Sequence, residues 1–485
     1  MRRAAAARPT ALRGGPALAL LALLAACNLG PDYKKPETAL PTAWENASPK
    51  VRAAWPDPDW WRAFKSPQLD ALMAQARAGN TDVAAAAARV VEADAQARIA
   101  GAPLFPSLDA QTNVGPTRLL NNTGRERHHT TYQGLLSASY ELDFWGKNRA
   151  ALESAEASSA SARYAQDVVW LSTSSSVAST YFALLSAQDR LKVARGNLDR
   201  AEHDLRAVSL QLKQGTVPQL AVVQQQSLAA TVAAAIPPLE RELVLTRNAL
   251  ALLTGRLPQG FGGGAGSLFG IPVPAVAAGV PSELLARRPD VQNAEAQLVA
   301  ANADIKVARA QFFPSFSLTA QGGLTSFGLT QYVTPPLGTY LLLSTITQPI
   351  FRGGALRGQL DQTKARYQEL LAGTYRKAVL SAFGDVENAL AEVKTAADEE
   401  AAVQRSVDTA QRSSGLASAG FRGGTGTILD VLLSQTASFT ARDLLVQARL
   451  DRLQSLVKLY AALGGGWMPP NAGAAAVAQA DSPHR

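Results

Sequence analysis

The 485-residue chain contains one cysteine, Cys27, and four histidines. A single cysteine excludes a disulfide framework and any Cys-rich zinc or iron–sulfur centre. Four histidines, two of them adjacent at His128-His129, leave little material for an imidazole-built metal site. No P-loop, G-x-S-x-G, H-E-x-x-H or strand-borne G-x-G-x-x-G pattern occurs, so the chain reads as a non-enzyme with no metal and no cofactor. After residue 27 no stretch reaches 18 consecutive apolar residues, the continuous length expected of a transmembrane helix. The net charge is +8, but Arg2, Arg3, Arg8 and Arg13 supply half of it before the first acid, Asp32. No basic cluster remains, and nucleic acid is excluded as a partner.

What is present begins with an address. Residues 1–26 read as a signal peptide: basic first, then an unbroken apolar run over 17–26, too short to span a bilayer. The run ends in Leu24-Ala25-Ala26-Cys27, which resembles a bacterial lipobox, so Cys27 is expected to carry a covalent lipid. Residue 28 is Asn rather than the Asp of inner-membrane retention, which favours the outer membrane. Residues 27–65 form the expected lipidated N-terminal segment. Any membrane crossing by the rest of the chain has to be a closed β-barrel, because open strand edges are not tolerated in lipid.

The remainder is duplicated at a spacing of about 208 residues. Asp82-Val83 matches Asp290-Val291, and Phe105-Pro106-Ser107 matches Phe313-Pro314-Ser315. Gly146 matches Gly353, Gly215-Thr216 matches Gly424-Thr425, and Leu220 matches Leu429. The repeats are placed at 66–254 and 282–467. A Gly/Pro-rich linker, 255–281, joins them, with its Gly262-Gly263-Gly264 run read as flexible, and 468–485 reads as a disordered tail. Each repeat predicts a helix (66–101, 282–311), two strands, a very long helix (147–213, 354–420), a Gly-containing turn and a closing helix (219–254, 427–463). A 67-residue helix is about 100 Å long and needs a partner along its length.

The strands alternate. Tyr132, Gly134, Leu136, Ala138, Tyr140 and Leu142 interleave with polar Gln133, Ser137, Ser139 and Glu141; Phe316, Leu318 and Ala320 interleave with Ser317, Thr319 and Gln321. The stretch 340–351 is ragged, with Leu341, Leu342 and Leu343 in a row, and 118–130 reads as a polar loop. One apolar face at period two suits a half-buried soluble strand or a membrane barrel. Each chain offers four strands, and membrane barrels start at eight. A dimer would leave its interior filled by side chains, so a trimer is the smaller assembly with a lumen.

At this point the residues resemble a family. Leu284-Leu285-Ala286-Arg287-Arg288-Pro289-Asp290-Val291, Ala310-Gln311-Phe312-Phe313-Pro314-Ser315, the Gly-Thr turn before Ile428-Leu429-Asp430-Val431-Leu432, and Ala462-Leu463-Gly464-Gly465-Gly466-Trp467 are similar to the hallmark segments of TolC-like outer-membrane factors. The lipobox places the chain with the OprM/NodT-like lipoprotein branch. The resemblance implies an α+β membrane protein: a homotrimer whose 12-stranded outer-membrane β-barrel, four strands per chain, continues into a long periplasmic α-helical barrel. It implies a passive exit channel of a tripartite efflux pump, docking a periplasmic adaptor and an inner-membrane transporter and sitting in outer-membrane lipid. A lipid-anchored coiled-coil scaffold or adhesin without a pore is the alternative, and it does not explain the symmetric strand pairs.

The resemblance also implies a periplasmic gate at the turns near 213–222 and 421–433. Asp430 falls on the first aspartate of the family's constricting ring, and Leu429 on a leucine that narrows the mouth. The second ring aspartate is replaced by Leu433, a latching Tyr by Phe421 and a latching Arg by Gly426. Closure is therefore expected to rest on apolar packing of Leu429 and Leu433. Without the resemblance, Asp430 reads as a helix-start residue favouring the N-terminal dipole, and Arg288-Pro289-Asp290 likewise as a helix start.

Overall fold

The computed structural model describes residues 30, 32–37, 41–46, 55–120, 126–326 and 337–468. The signal peptide, Cys27 and residues 469–485 of the expected tail lie outside them. In chain order the helices are α1 (Pro67–Gly79), α2 (Thr81–Gly101), α3 (Lys147–Lys213), α4 (Gln219–Ala234), α5 (Ile236–Leu253), α6 (Pro281–Arg287), α7 (Pro289–Ala310), α8 (Ala355–Glu369), α9 (Lys377–Arg422) and α10 (Ile428–Ala462). The strands are β1 (Ser107–Leu120), β2 (Glu126–Leu142), β3 (Ser315–Ser326) and β4 (Leu337–Thr347).

The predicted helices form, with breaks that periodicity does not reveal. The first divides at Asn80, which closes α1 and opens α2: its Oδ1 accepts from the amides of Asp82 (2.9 Å) and Val83 (3.1 Å). Its counterpart divides at Arg288, held extended because Pro289 follows. The helix expected over 219–254 divides at Ala235, where Pro237 and Pro238 withdraw two amide donors. The second long helix contains a π segment, Leu370–Arg376. Windows within Lys147–Lys213 and Gln219–Leu253 also reach a mean hydropathy fit for crossing a bilayer, 1.3 and 1.2. Scattered Ser, Thr and Gln hide them from a search for unbroken runs.

The chain forms two compact units that cut across the repeats. Residues 1–36, 90–162 and 294–375 make the first, and 37–89, 163–293 and 376–485 the second. The first unit contains one antiparallel sheet in the order β1-β2-β3-β4. Opposed residues of neighbouring strands share a face, so the register sorts the side chains. One face carries the rows Leu108, Ala138, Ala320, Leu342; Ala110, Leu136, Gly322, Tyr340; and Leu142, Phe316, Ile346. The opposite face carries Ser107, Ser139, Thr319, Leu343 and Asp109, Ser137, Gln321, Leu341. The ragged leucine run thus resolves: Leu342 joins the apolar rows, while Leu341 and Leu343 fall on the polar side. Exposure agrees, with Tyr340 89% and Leu342 79% accessible on the apolar face of the single chain. The expected loop 118–130 is mostly strand, leaving 121–125 outside the described residues; Arg118 pairs with Glu126 across β1 and β2.

The second unit has the larger core. Trp60, Phe64, Leu69, Phe182 and Leu453 gather there, with Trp60 stacked on Tyr460 at 5.0 Å. The linker belongs to it as well. Phe261, Leu268 and Ile271 are buried in the same cluster. Gly263 and Gly264 have φ of 69° and 96°, and a Cβ on Gly264 would stand 2.8 Å from Gln68 Oε1. These glycines answer to a left-handed backbone and a close approach rather than to flexibility.

Candidate functional site

The turn after α3 and the turn after α9 are built alike. Gly215 and Gly424 both have φ of 74°. The Thr216 amide donates to Gln211 O (3.0 Å) and the Thr425 amide to Gly420 O (2.9 Å). These six-to-one bonds satisfy the last carbonyls of each helix, the Schellman ending that glycine permits. Beneath them Val208, Ala221 and Val222 pack with Phe421 and Ile428, which brings the two turns together.

After the second turn Thr427 caps α10. Its hydroxyl and amide donate to Asp430 Oδ2 at 2.6 and 2.9 Å, and the Asp430 amide donates back to Thr427 Oγ1 at 3.3 Å. This reciprocal capping box satisfies donors that the first turn leaves free. The Thr427 hydroxyl, then its amide, hold the Asp430 carboxyl below its ordinary pKa. Asp430 is therefore an exposed anion at the start of α10, and its helix-start role is realised.

Leu429 and Leu433 stand one turn apart on α10, 53% and 63% accessible. Leu220, at the matching position of α4, is 64% accessible, with exposed Val223 beside it. Leu220 was in plain view as the repeat partner of Leu429. Only the shared turn geometry makes it a member of the same site.

Polar contacts tie these elements to α3. Gln225 Nε2 donates to Ala201 O (3.2 Å) and Gln435 Nε2 to Asp204 Oδ2 (2.6 Å), so amides from α4 and α10 grip one turn of α3. Arg200, Asp204, Gln225, Gln411, Arg422 and Gln435 line a cavity of about 500 Å³ there. Farther along, Arg190 of α3 bonds Asp443 (2.8 Å) and Glu242 (3.1 Å). Arg449 and Arg452 of α10 share Glu400 of α9. None of these pairings follows from spacing, since the partners are 24 to 253 residues apart.

Arg288 is a buried clamp as well as a helix boundary. It donates to Asp290 (2.7 Å), Asp385 (3.0 Å) and Ala462 O (3.1 Å). His128 lies in β2 rather than a loop, its Nε2 3.7 Å from Glu126. Among the described residues no three His, Cys, Asp or Glu side chains cluster as metal ligands do.

The sequence pattern of the outer membrane efflux protein family matches residues 72–256 and 280–465. The pyoverdine export outer membrane protein OpmQ of Pseudomonas aeruginosa is 39% identical over 461 residues, 93% of this chain and 97% of that protein. The toluene efflux pump outer membrane protein TtgF of Pseudomonas putida is 33% identical, covering 93% and 96%. The cation efflux system protein CusC of Escherichia coli is 31% identical, covering 92% and 96%. Among solved structures, the outer-membrane channel OprN superposes with a TM-score of 0.84 at 28% identity, over 91% of this chain and all of that one. The open MtrE outer membrane channel of Neisseria gonorrhoeae gives 0.81 at 29%, over 91% and 99%. The chain belongs to the outer membrane efflux protein family, a family of channels rather than of enzymes, and is an outer-membrane exit channel for efflux.

Proposed function

We propose that the chain works as a homotrimer, a passive duct that receives cargo from an inner-membrane transporter through a periplasmic adaptor. The sheet carries this reading. Its four strands have one apolar and one polar face, and among the described residues β1 and β4 each leave an edge unpaired. Edges must close in lipid, and three copies give a twelve-stranded barrel with an aqueous lumen. Cys27 carries a covalent lipid that anchors the N-terminus in the outer membrane; no other cofactor and no catalytic step is needed.

At the periplasmic end the turns meet about the threefold axis. Asp430 contributes one carboxylate per subunit to a cation-attracting ring, and Leu429 and Leu433 narrow it from the same helix. Its relatives are named for pyoverdine, toluene and cations, chemistries with little in common, so cargo choice is assigned to the transporter. Single-channel conductance of the purified protein in a planar bilayer tests the reading. A steady conductance whose cation preference falls in Asp430→Ala is expected. Folded trimer that conducts nothing overturns the channel, and a pore indifferent to the substitution moves the constriction elsewhere.

A further inference from the structure

The repeats are not the same length. Gly146 and Gly353 are 207 residues apart, whereas Gly215 and Gly424 are 209 apart, so the second repeat is two residues longer between them. One is spent in the turn, where Gly353 and Gly354 both have positive φ against the single Gly146. The other lies within the helix: α3 is unbroken, but its counterpart passes through the π segment between α8 and α9. A π turn admits an extra residue and turns its side chains out of the flanking α register.

That segment sits by a feature that occurs once. The N-terminal arm, residues 30 and 32–36, reaches α7 through Gly30 and Lys35. Gly30 packs on the stem of Lys306, where a Cβ would collide. Lys306 is itself held by Glu153 at 2.9 Å. Lys35 pairs with Glu295 at 2.6 Å, and Glu295 is 17% accessible. Tyr375, on the π turn, is fully buried. Burial first, then Glu295, raises the pKa of both Tyr375 and Tyr33; Tyr375 adds to the rise at Tyr33, which places the rings and the carboxylate in one cluster. The first repeat has no such set: Ala87 matches Glu295, and Gln166-Asp167-Val168 stand where Tyr375 would be sought.

We infer that the one-residue insertion in the second repeat builds a docking seat for the chain's own N-terminal arm, with Tyr375 receiving Tyr33 and Glu295 receiving Lys35. A duplicated chain has two long helices but only one N-terminus, so one copy alone needs the seat. Two residues, 28 and 29, separate Cys27 from Gly30, so the seat fixes where the anchor leaves the protein; that consequence, unlike the seat, rests on lipidation.

Deletion of the exposed Gly373 restores an unbroken α register and turns Tyr375 away, leaving α9 in place. Trypsin cleavage after Lys34 in the detergent-solubilised full-length trimer reads arm release, since a docked arm has to leave its seat to enter the protease. At least tenfold faster cleavage is expected in the deletion variant and in Tyr375→Ala, which keeps the π turn and serves if the deletion does not fold. Cleavage at the wild-type rate in a trimeric variant overturns the seat. The same comparison made in a Cys27→Ala background is expected to give the same ratio, which separates failure of the seat from failure of lipidation.

Discussion

Gln435 Nε2 donates to Asp204 Oδ2 at 2.6 Å, tying the start of α10 to α3 across 231 residues of sequence. Gln435 is 2% accessible and its acceptor is a half-buried carboxylate, so the donor is withdrawn from water and the bond is charge-assisted.

Replacing Gln435 with Leu leaves the Asp204 carboxylate without this donor, a loss of about 1.5–3 kcal/mol. If the joint restrains the mouth, the ratio of open to closed time rises roughly tenfold or more, since 1.4 kcal/mol is a factor of ten. Single-channel recording checks this, and an unchanged ratio removes Gln435 from the gate.

The exposed leucines predict a different result. Leu429→Ala with Leu433→Ala is expected to raise conductance, each truncation removing about 2 kcal/mol where the side chains pack at a closed mouth. Adding Leu220→Ala should raise it further, because Leu220 occupies the matching turn. Conductance equal to wild type in the triple variant sinks the apolar closure.

The capping box sets a pH dependence. Thr427 depresses the Asp430 pKa, so the stabilisation is complete above the unfolded value near 3.9 and is lost as pH falls through the lower folded value. Cation preference should therefore persist down to about pH 4 and fade only below it. In Thr427→Ala the fade moves to higher pH. Reversal-potential measurements between pH 3 and 6 follow it, and coincident curves contradict the assignment.

Gly464 has φ of 82°, and a Cβ there would strike the Arg287 carbonyl. Gly464→Ala combines left-handed strain with that collision, at about 1–3 kcal/mol or more. Thermal dissociation of the trimer at clearly lower temperature is expected, with conductance of the surviving trimers unchanged. Full thermal stability would show that the backbone there can adjust.

Metabolic labelling with radioactive palmitate tests the anchor. Label in the wild-type chain and none in Cys27→Ala is the expected pair, and label retained by the variant refutes lipidation at this residue.

The amino-acid sequence by itself determined the order of elements, because duplication, period-two strands and long helical runs are patterns along the chain that survive without knowledge of contacts. It also carried the turns: glycine before threonine after a long helix has few backbone solutions, and Asp430 read as a helix-start residue, whereas its partner Thr427 emerged only from the folded turn. Tertiary structure decided what depends on distant partners. Strand register assigned Leu342 to one face and its two neighbours to the other, since a strand's apolar side is defined only against its neighbours. Packing turned Gly263 and Gly264 from part of an expected flexible run into close-packed backbone. The grip of Gln435 on α3, and the pairing of Lys35 with Glu295, join residues hundreds of positions apart. No window of sequence contains both halves of such a contact, and only the folded chain brings them together.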